Sequence, residues 1–156
     1  MNPDVQFMSL AIEMARAGTS TPNPHVGCVV APADGSGPGI GVSEPAGGAH
    51  AETKAFSEVG ARSKGGTLYV TLEPCNHYGK TPPCTKAIVE AGIRRVVIGV
   101  RDPNPKAEGG VEVLRGHGIE VEVGVLAEQC AHLHKQFLFA MKHKRPMVTV
   151  KVGMSL

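Results

Sequence analysis

The sequence predicts one layered α/β/α domain. Segments of β-branched, strand-like character alternate with segments of helical apolar spacing, and short glycine- or proline-bearing turns join several of them. The length agrees, since 156 residues with 42% hydrophobic and 19% charged content can bury one ordinary core.

Each element follows from local pattern. Over 4–18, Phe7, Leu10, Ala11, Met14 and Ala15 recur at helical spacing and Gly18 ends the run. TSTPNP at 19–24 forces an irregular connection. HVGCVVAP (25–32) reads as a buried strand, and GIGVS (39–43) as a second after the Gly/Ser/Pro turn at 33–39. AHAETKAFSEVGA (49–61) has helical spacing through Ala51, Ala55, Phe56 and Val59. TLYVTL (67–72) is a strand stopped by Glu73-Pro74. TPPCTKAIVEAGI (81–93) predicts a helix with Thr81 as N-cap, Pro82 in its first turn and Gly92 closing it. RRVVIGV (94–100) is a strand ended by the turn DPNP (102–105). A short helix over 109–117, a strand over 119–125 and one long helix over 126–143 follow. RPMVTVKVGMSL (145–156) reads as a last strand, which pairs with this sheet, pairs with another chain, or is the cut edge of a second domain.

Composition excludes several classes of function. A formal charge of +2 is too small to argue for a nucleic-acid partner, and no run of about 18 apolar residues exists to span a membrane. The N-terminus carries Asp4 and Glu13 and has no basic leader segment, so a cytoplasmic protein is expected. Cys28, Cys75, Cys84 and Cys130 stand in a chain neither small nor cysteine-rich, which argues for free thiols in a reducing compartment. Lys142, His143, Lys144 and Arg145 form the one basic cluster. It reads as a solvated helix end rather than a nucleic-acid patch, because two Tyr, four Phe and no Trp make base-stacking platforms scarce.

The chemistry concentrates in His50-Ala51-Glu52, Pro74-Cys75 and Cys84. Zinc takes imidazole and thiolate ligands in a tetrahedron, and a catalytic site keeps one corner open for water. One His and two Cys fill three corners. His50 and Cys84 fall where helices are expected to start, and free N–H groups there favour thiolate over thiol. Such a metal brings bound water to a pKa near 7. Glu52 lies roughly 200° around a helix from His50, a poor position for a fourth ligand but a good one for a proton shuttle. Nucleobase deaminases carry H-x-E and P-C-x-x-C with a non-ligand Glu. Here eight residues, Asn76 to Pro83, separate the cysteines.

Plainer readings stand beside this one. A closed structural zinc site could recruit His77 as fourth ligand, but would leave Glu52 unexplained. Cys28, within VGCVV, reads as core, and Cys130 as packing or surface. His132 and His134 are two apart on a helix and therefore face apart. His77 either touches substrate or shapes the Cys loop, and Asn104 either builds the DPNP turn or serves the strand end where α/β sites gather.

TLEPCNHYGKTPPC with HAE upstream resembles the deaminase half of the bifunctional riboflavin-biosynthesis deaminase/reductases. TPNPHVGCVV (21–30), AGIRRVVIGVRDPNP (91–105) and GIEVEVGVLAEQC (118–130) extend the likeness along the chain. The resemblance implies a three-layer α/β/α cytidine-deaminase-like domain with a central mixed sheet over 1–145, followed by a terminal strand, 146–156, like the start of a reductase domain that this chain does not contain. It implies zinc on His50, Cys75 and Cys84, with Glu52 as catalytic proton shuttle. The reaction would be hydrolysis of the 2-amino group of a diamino-hydroxy-pyrimidine bearing a ribosylamino 5′-phosphate. Substrate contacts would fall on Asn23, Lys80 and Asn104, with His77 and Ser43 as further candidates. Ser43 stands where many members have a histidine seven residues before the HAE histidine. The implied partners are this phosphorylated aminopyrimidine, a fused or separate reductase domain, and further copies of the chain in a homo-oligomer. The same fold also serves cytosine, guanine, nucleoside and tRNA-base deaminases, and a non-catalytic zinc-stabilised module is the remaining alternative.

Overall fold

The computed structural model describes residues 2–18 and 23–153. Five strands form one mixed sheet: β1 (Gly27–Ala31), β2 (Gly39–Val42), β3 (Thr67–Leu72), β4 (Arg95–Val100) and β5 (Glu120–Val123), in the order β2-β1-β3-β4-β5. β1 runs antiparallel to β2 and β3, whereas β3, β4 and β5 are parallel. Around them lie α1 (Pro3–Arg16), α2 (Ala51–Val59), α3 (Cys84–Glu90), α4 (Gly110–Gly116), α5 (Ala127–Leu133) and α6 (Lys135–His143).

Strand parity sorts the helices into layers. Successive side chains leave a strand on opposite faces. Cys28, Val30, Leu68, Val70, Val96 and Ile98 therefore share one face and pack on Ala51, Ala55, Ile88, Val111 and Leu114 of α2, α3 and α4. Val29, Tyr69 and Val97 point the other way, onto Met8, Ala11 and Ile12 of α1 and Cys130 of α5. The expected three layers with a mixed sheet are present, and Cys28 and Cys130 are both core residues. At burial energies of about 1.5–3 kcal/mol per large apolar side chain, these two clusters dominate the fold's stability.

Two close approaches depend on glycine. A Cβ at Gly41 would lie 1.8 Å from the Ala51 carbonyl oxygen, so α2 rests directly on β2. At Gly110 it would lie 2.3 Å from the Pro74 oxygen, which brings the start of α4 against the cysteine loop.

Three expectations are corrected. The helix predicted from Thr81 begins at Cys84, with Pro83 as its cap at φ −58° and ψ 139°. Proline disfavours helical dihedrals in the residue before it, so Pro83 keeps Pro82 out of the first turn. The long helix over 126–143 is interrupted at His134, a buried residue whose imidazole is held by Thr71. Residues 146–153 form no strand and leave Val148, Val150 and Val152 exposed. They do not join this sheet at either edge, so of the three pairings expected for them the one with this sheet is not made; 154–156 lie outside the described residues. Among the described residues, no helix is long and apolar enough to cross a membrane.

Candidate metal centre and substrate pocket

The three expected ligands converge. The His50 Nδ1 and the sulfurs of Cys75 and Cys84 lie within 4.8 Å of one another, a group that can hold a metal ion. His50 Nδ1 is 3.0 Å from Cys84 Sγ and 3.7 Å from Cys75 Sγ. Backbone geometry builds the cluster. His50 is the N-cap of α2 with extended dihedrals, φ −75° and ψ 157°, and Cys84 is the first residue of α3. The Cys84 N–H donates to Cys75 Sγ at 3.4 Å, and the Thr85 N–H donates to the Cys75 carbonyl at 3.3 Å.

The electrostatics suit a cation. A hydrogen bond from the Cys84 side chain holds Cys75 down to about 4, helped by His50 and the Cys84 N–H and opposed by burial. The same bond, with burial and the nearby Glu52, pushes Cys84 up. His50 is raised, chiefly by its hydrogen bond with Cys75. The pair thus shares a proton that a divalent ion would displace, as metal binding to thiols generally does. One imidazole and two thiolates are a donor set that zinc accepts with a corner to spare.

Glu52 is 4% exposed, and burial pushes its carboxyl up. It lines the same cavity as His50 and Cys75 and touches Cys84. His50 caps α2 and Glu52 follows in its first turn, and both line the cavity.

That cavity, of about 390 Å³, also takes in Asn23, Ser43, His77, Lys80 and Asn104. The five expected substrate positions therefore share one cavity with His50 and Cys75, and Cys84 stands behind those two, outside the lining. Ser43 is already occupied: its hydroxyl donates to the Pro24 carbonyl at 3.0 Å and accepts from the Val26 N–H at 2.9 Å, bracing the segment that carries Asn23. Asn104 builds the turn and stands in the cavity wall. Its Oδ1 accepts from the Lys106 N–H at 3.1 Å and shapes the turn, and the residue still lines the cavity. The Lys80 ammonium lies over Gly47, 3.6 Å from where a Cβ would stand, at the exposed mouth.

Among the lining residues not anticipated, three stand out. Glu73, 3% exposed, accepts from the Val111 N–H at 3.0 Å and the Asp102 N–H at 3.1 Å, tying α4 and the DPNP turn to the cysteine loop. Asp102 is half-buried, raised chiefly by burial, and accepts from the Asn104 N–H at 2.8 Å. Phe137 comes from α6. For the first two the sequence held a signal, an acid at each strand end beside a proline; Phe137 had none.

Comparison with known proteins agrees with this geometry. Residues 1–100 match the model of the cytidine and deoxycytidylate deaminase zinc-binding region. The chain is 48% identical to the riboflavin biosynthesis protein RibD of Aquifex aeolicus, over 98% of this chain and 44% of that protein. It is 47% identical to the diaminohydroxyphosphoribosylamino-pyrimidine deaminase of Buchnera aphidicola subsp. Acyrthosiphon pisum, covering 89% of this chain and 96% of that one. The crystal structure of a diaminohydroxyphosphoribosylaminopyrimidine deaminase/5-amino-6-(5-phosphoribosylamino)uracil reductase from Thermotoga maritima superposes with a TM-score of 0.86 at 48% identity, over 92% of this chain and 42% of that one. The chain thus spans less than half the length of the RibD-type relatives and nearly all of the single-activity deaminase.

Proposed function

The chain belongs to the cytidine and deoxycytidylate deaminase zinc-binding family, alongside the diaminohydroxyphosphoribosylamino-pyrimidine deaminases, and on that premise we propose that it hydrolyses the 2-amino group of a diamino-hydroxy-pyrimidine bearing a ribosylamino 5′-phosphate. The observation that carries this reading is the buried Glu52 carboxyl, in the wall of one cavity with a His50/Cys75/Cys84 cluster that can hold zinc.

His50, Cys75 and Cys84 would hold zinc, which would supply Lewis acidity enough to make water a nucleophile near neutral pH. The protein's residues do the rest. Glu52 accepts the proton that water gives up as its oxygen bonds to the ring carbon. It delivers that proton to the ring nitrogen, then takes the second proton from the new hydroxyl and hands it to the departing amine, so that the C–N bond breaks, ammonia leaves and a carbonyl remains. Burial suits it to that traffic, since a raised carboxyl pKa brings its two protonation states closer in energy at neutral pH. Asn23 and Asn104 present amides to the polar edges of the ring. Lys80, at the mouth, meets the phosphate as a point charge, with His77 beside it. Ser43 acts at one remove, through the Asn23 segment.

A reducing, cytoplasmic setting fits two cysteines kept as metal thiolates. The exposed Val148, Val150 and Val152 call for a partner over 146–156, either a reductase domain or a second copy of the chain.

Glu52→Gln tests the reading. Ammonia release from the phosphorylated pyrimidine is expected to fall by about a thousandfold or more, with zinc still bound at one per chain. Full activity in that variant would refute the shuttle. Wild-type ammonia release confined to cytosine, guanine or nucleosides in a substrate panel would keep the chemistry and replace the substrate.

A further inference from the structure

Behind the pocket lies a buried imidazole that the mechanism does not use. His134, at the junction of α5 and α6, is 2% exposed, and its Nε2 is 3.0 Å from Thr71 Oγ1. The Thr71 hydroxyl already accepts from the Gly27 N–H at 3.1 Å, so its single proton is available to His134 Nε2. Burial, with His25 nearby, holds His134 down to about 4, so it is neutral at physiological pH, with its other ring nitrogen, Nδ1, away from Thr71. That Nδ1 is buried and has no hydrogen-bond partner. It borders a small chamber of about 100 Å³ whose walls include Asn23, Pro24, His25 and Phe137. Asn23, Pro24 and Phe137 also line the large cavity. The two spaces therefore share one wall, and His134 stands behind it.

The relay joins three separate pieces of chain. Gly27 opens β1 directly after the Asn23 segment. Thr71 lies in β3, four residues before Cys75. Phe137 is three residues beyond His134, about one helical turn away. We propose that His134 is a positioning residue for substrate binding: through Thr71 it fixes the start of β1, and through its place between α5 and α6 it sets Phe137, so that the Asn23 segment and Phe137 keep one spacing across the pocket. The metal floor, carried by α2 and α3 on the opposite face of the sheet, does not depend on it.

This rests on the deaminase reading above, and the experiment separates the two. His134→Leu, Thr71→Val and His134→Gln are compared with wild type for ammonia-release kinetics, zinc content and backbone amide hydrogen exchange. His134→Leu is expected to raise KM about tenfold with kcat within about twofold and zinc unchanged. Exchange is expected to quicken at Gly27 and across 23–27. Thr71→Val should act alike, and the double variant His134→Leu/Thr71→Val should add little to either single change. His134→Gln, whose side-chain oxygen reaches the Nε2 position, should restore KM. Unchanged KM and exchange in His134→Leu would overturn the proposal, as would a loss of kcat or zinc. Should wild type release no ammonia from the phosphorylated pyrimidine, the deaminase reading fails by itself, and the exchange at Gly27 alone decides for or against the relay.

Discussion

The floor and the rim of the cavity are made differently. On the floor, His50 caps α2 and Glu52 follows on its first turn, while Cys84, the first residue of α3, backs them from outside the lining. These helices press on the sheet through fully buried side chains such as Ala51, Ala55 and Ile88. On the rim, Asn23, His77 and Lys80 come from irregular, exposed segments. On the proposed function, chemistry that depends on distances between atoms falls to the packed layers, whereas recognition of a polar ring and a phosphate would fall to loops that a rigid frame holds out. Changes to the floor should therefore abolish activity or stability, and changes to the rim should alter affinity while leaving the metal in place.

The sharpest way to break this contrast is to remove a thiolate. Cys75→Ser and Cys84→Ser should each leave zinc well below one per chain and lower ammonia release by at least about three orders of magnitude, since an ion worth several kcal/mol of transition-state stabilisation is lost. Zinc analysis beside activity checks it. A variant that kept both its metal and its turnover would mean that the cluster is not the floor of the site.

The floor can also be disturbed from underneath. In Gly41→Ala the new methyl meets the Ala51 carbonyl, so α2 must lift and take His50 and Glu52 with it. A stability loss of about 2–3 kcal/mol is expected, read as a lower denaturant midpoint, together with reduced kcat. An unfolding curve matching wild type would show that α2 shifts freely, and the floor would then be no stiffer than the rim.

A rim change should look different. Lys80→Ala is expected to raise KM for the phosphorylated substrate about tenfold, to change kcat little and to leave zinc unaltered, because an exposed ammonium contributes binding more than transition-state stabilisation. The effect should vanish with the dephosphorylated substrate. A fall in kcat alone would place Lys80 on the floor's side of the division.

The same division explains what the sequence disclosed. Floor residues sit in short local patterns, HAE and PC with a second cysteine beyond, whose chemistry is specific wherever the chain goes. Strands and helices were legible for a related reason, because period-2 and period-3.6 burial are written locally. Features made by distant segments were not. Glu73 holds α4 and the DPNP turn through two backbone N–H groups 29 and 38 residues away. Phe137 reaches the pocket because α6 departs from α5 at His134, and the pull of Thr71 on that residue crosses 63 positions. Residues 146–153 carry the alternation of a strand, but alternation specifies a face and not a neighbour, and they pair with neither edge strand of this sheet. Pro82 misled in the opposite way: a proline near a helix start is favourable in general, but a second one after it displaces the cap.

A change far from both floor and rim sets the scale for effects on the frame alone. Asp4, in the first turn of α1, receives hydrogen bonds from Arg95 at 2.7 and 2.9 Å and from Tyr69 at 3.1 Å, both ends of the ion pair being less than a quarter exposed. The Arg95 guanidinium, and to a lesser degree the Tyr69 hydroxyl, hold the Asp4 carboxyl below its ordinary value against the opposing effect of burial. A depressed folded-state pKa gives stability that is complete above the unfolded value, near 3.9, and is lost as pH falls through the folded one. Asp4→Asn should cost about 1 kcal/mol at neutral pH, because Arg95 keeps Glu120 and Glu122 as partners and the pair is only partly buried. In urea titrations the gap from wild type should narrow as pH drops below about 4, where the native carboxylate also takes up its proton. Turnover and zinc content should not move. An Asp4→Asn protein with altered KM or kcat would show that α1 and β4 transmit strain to the site, and the separation between frame, floor and rim would have to be redrawn.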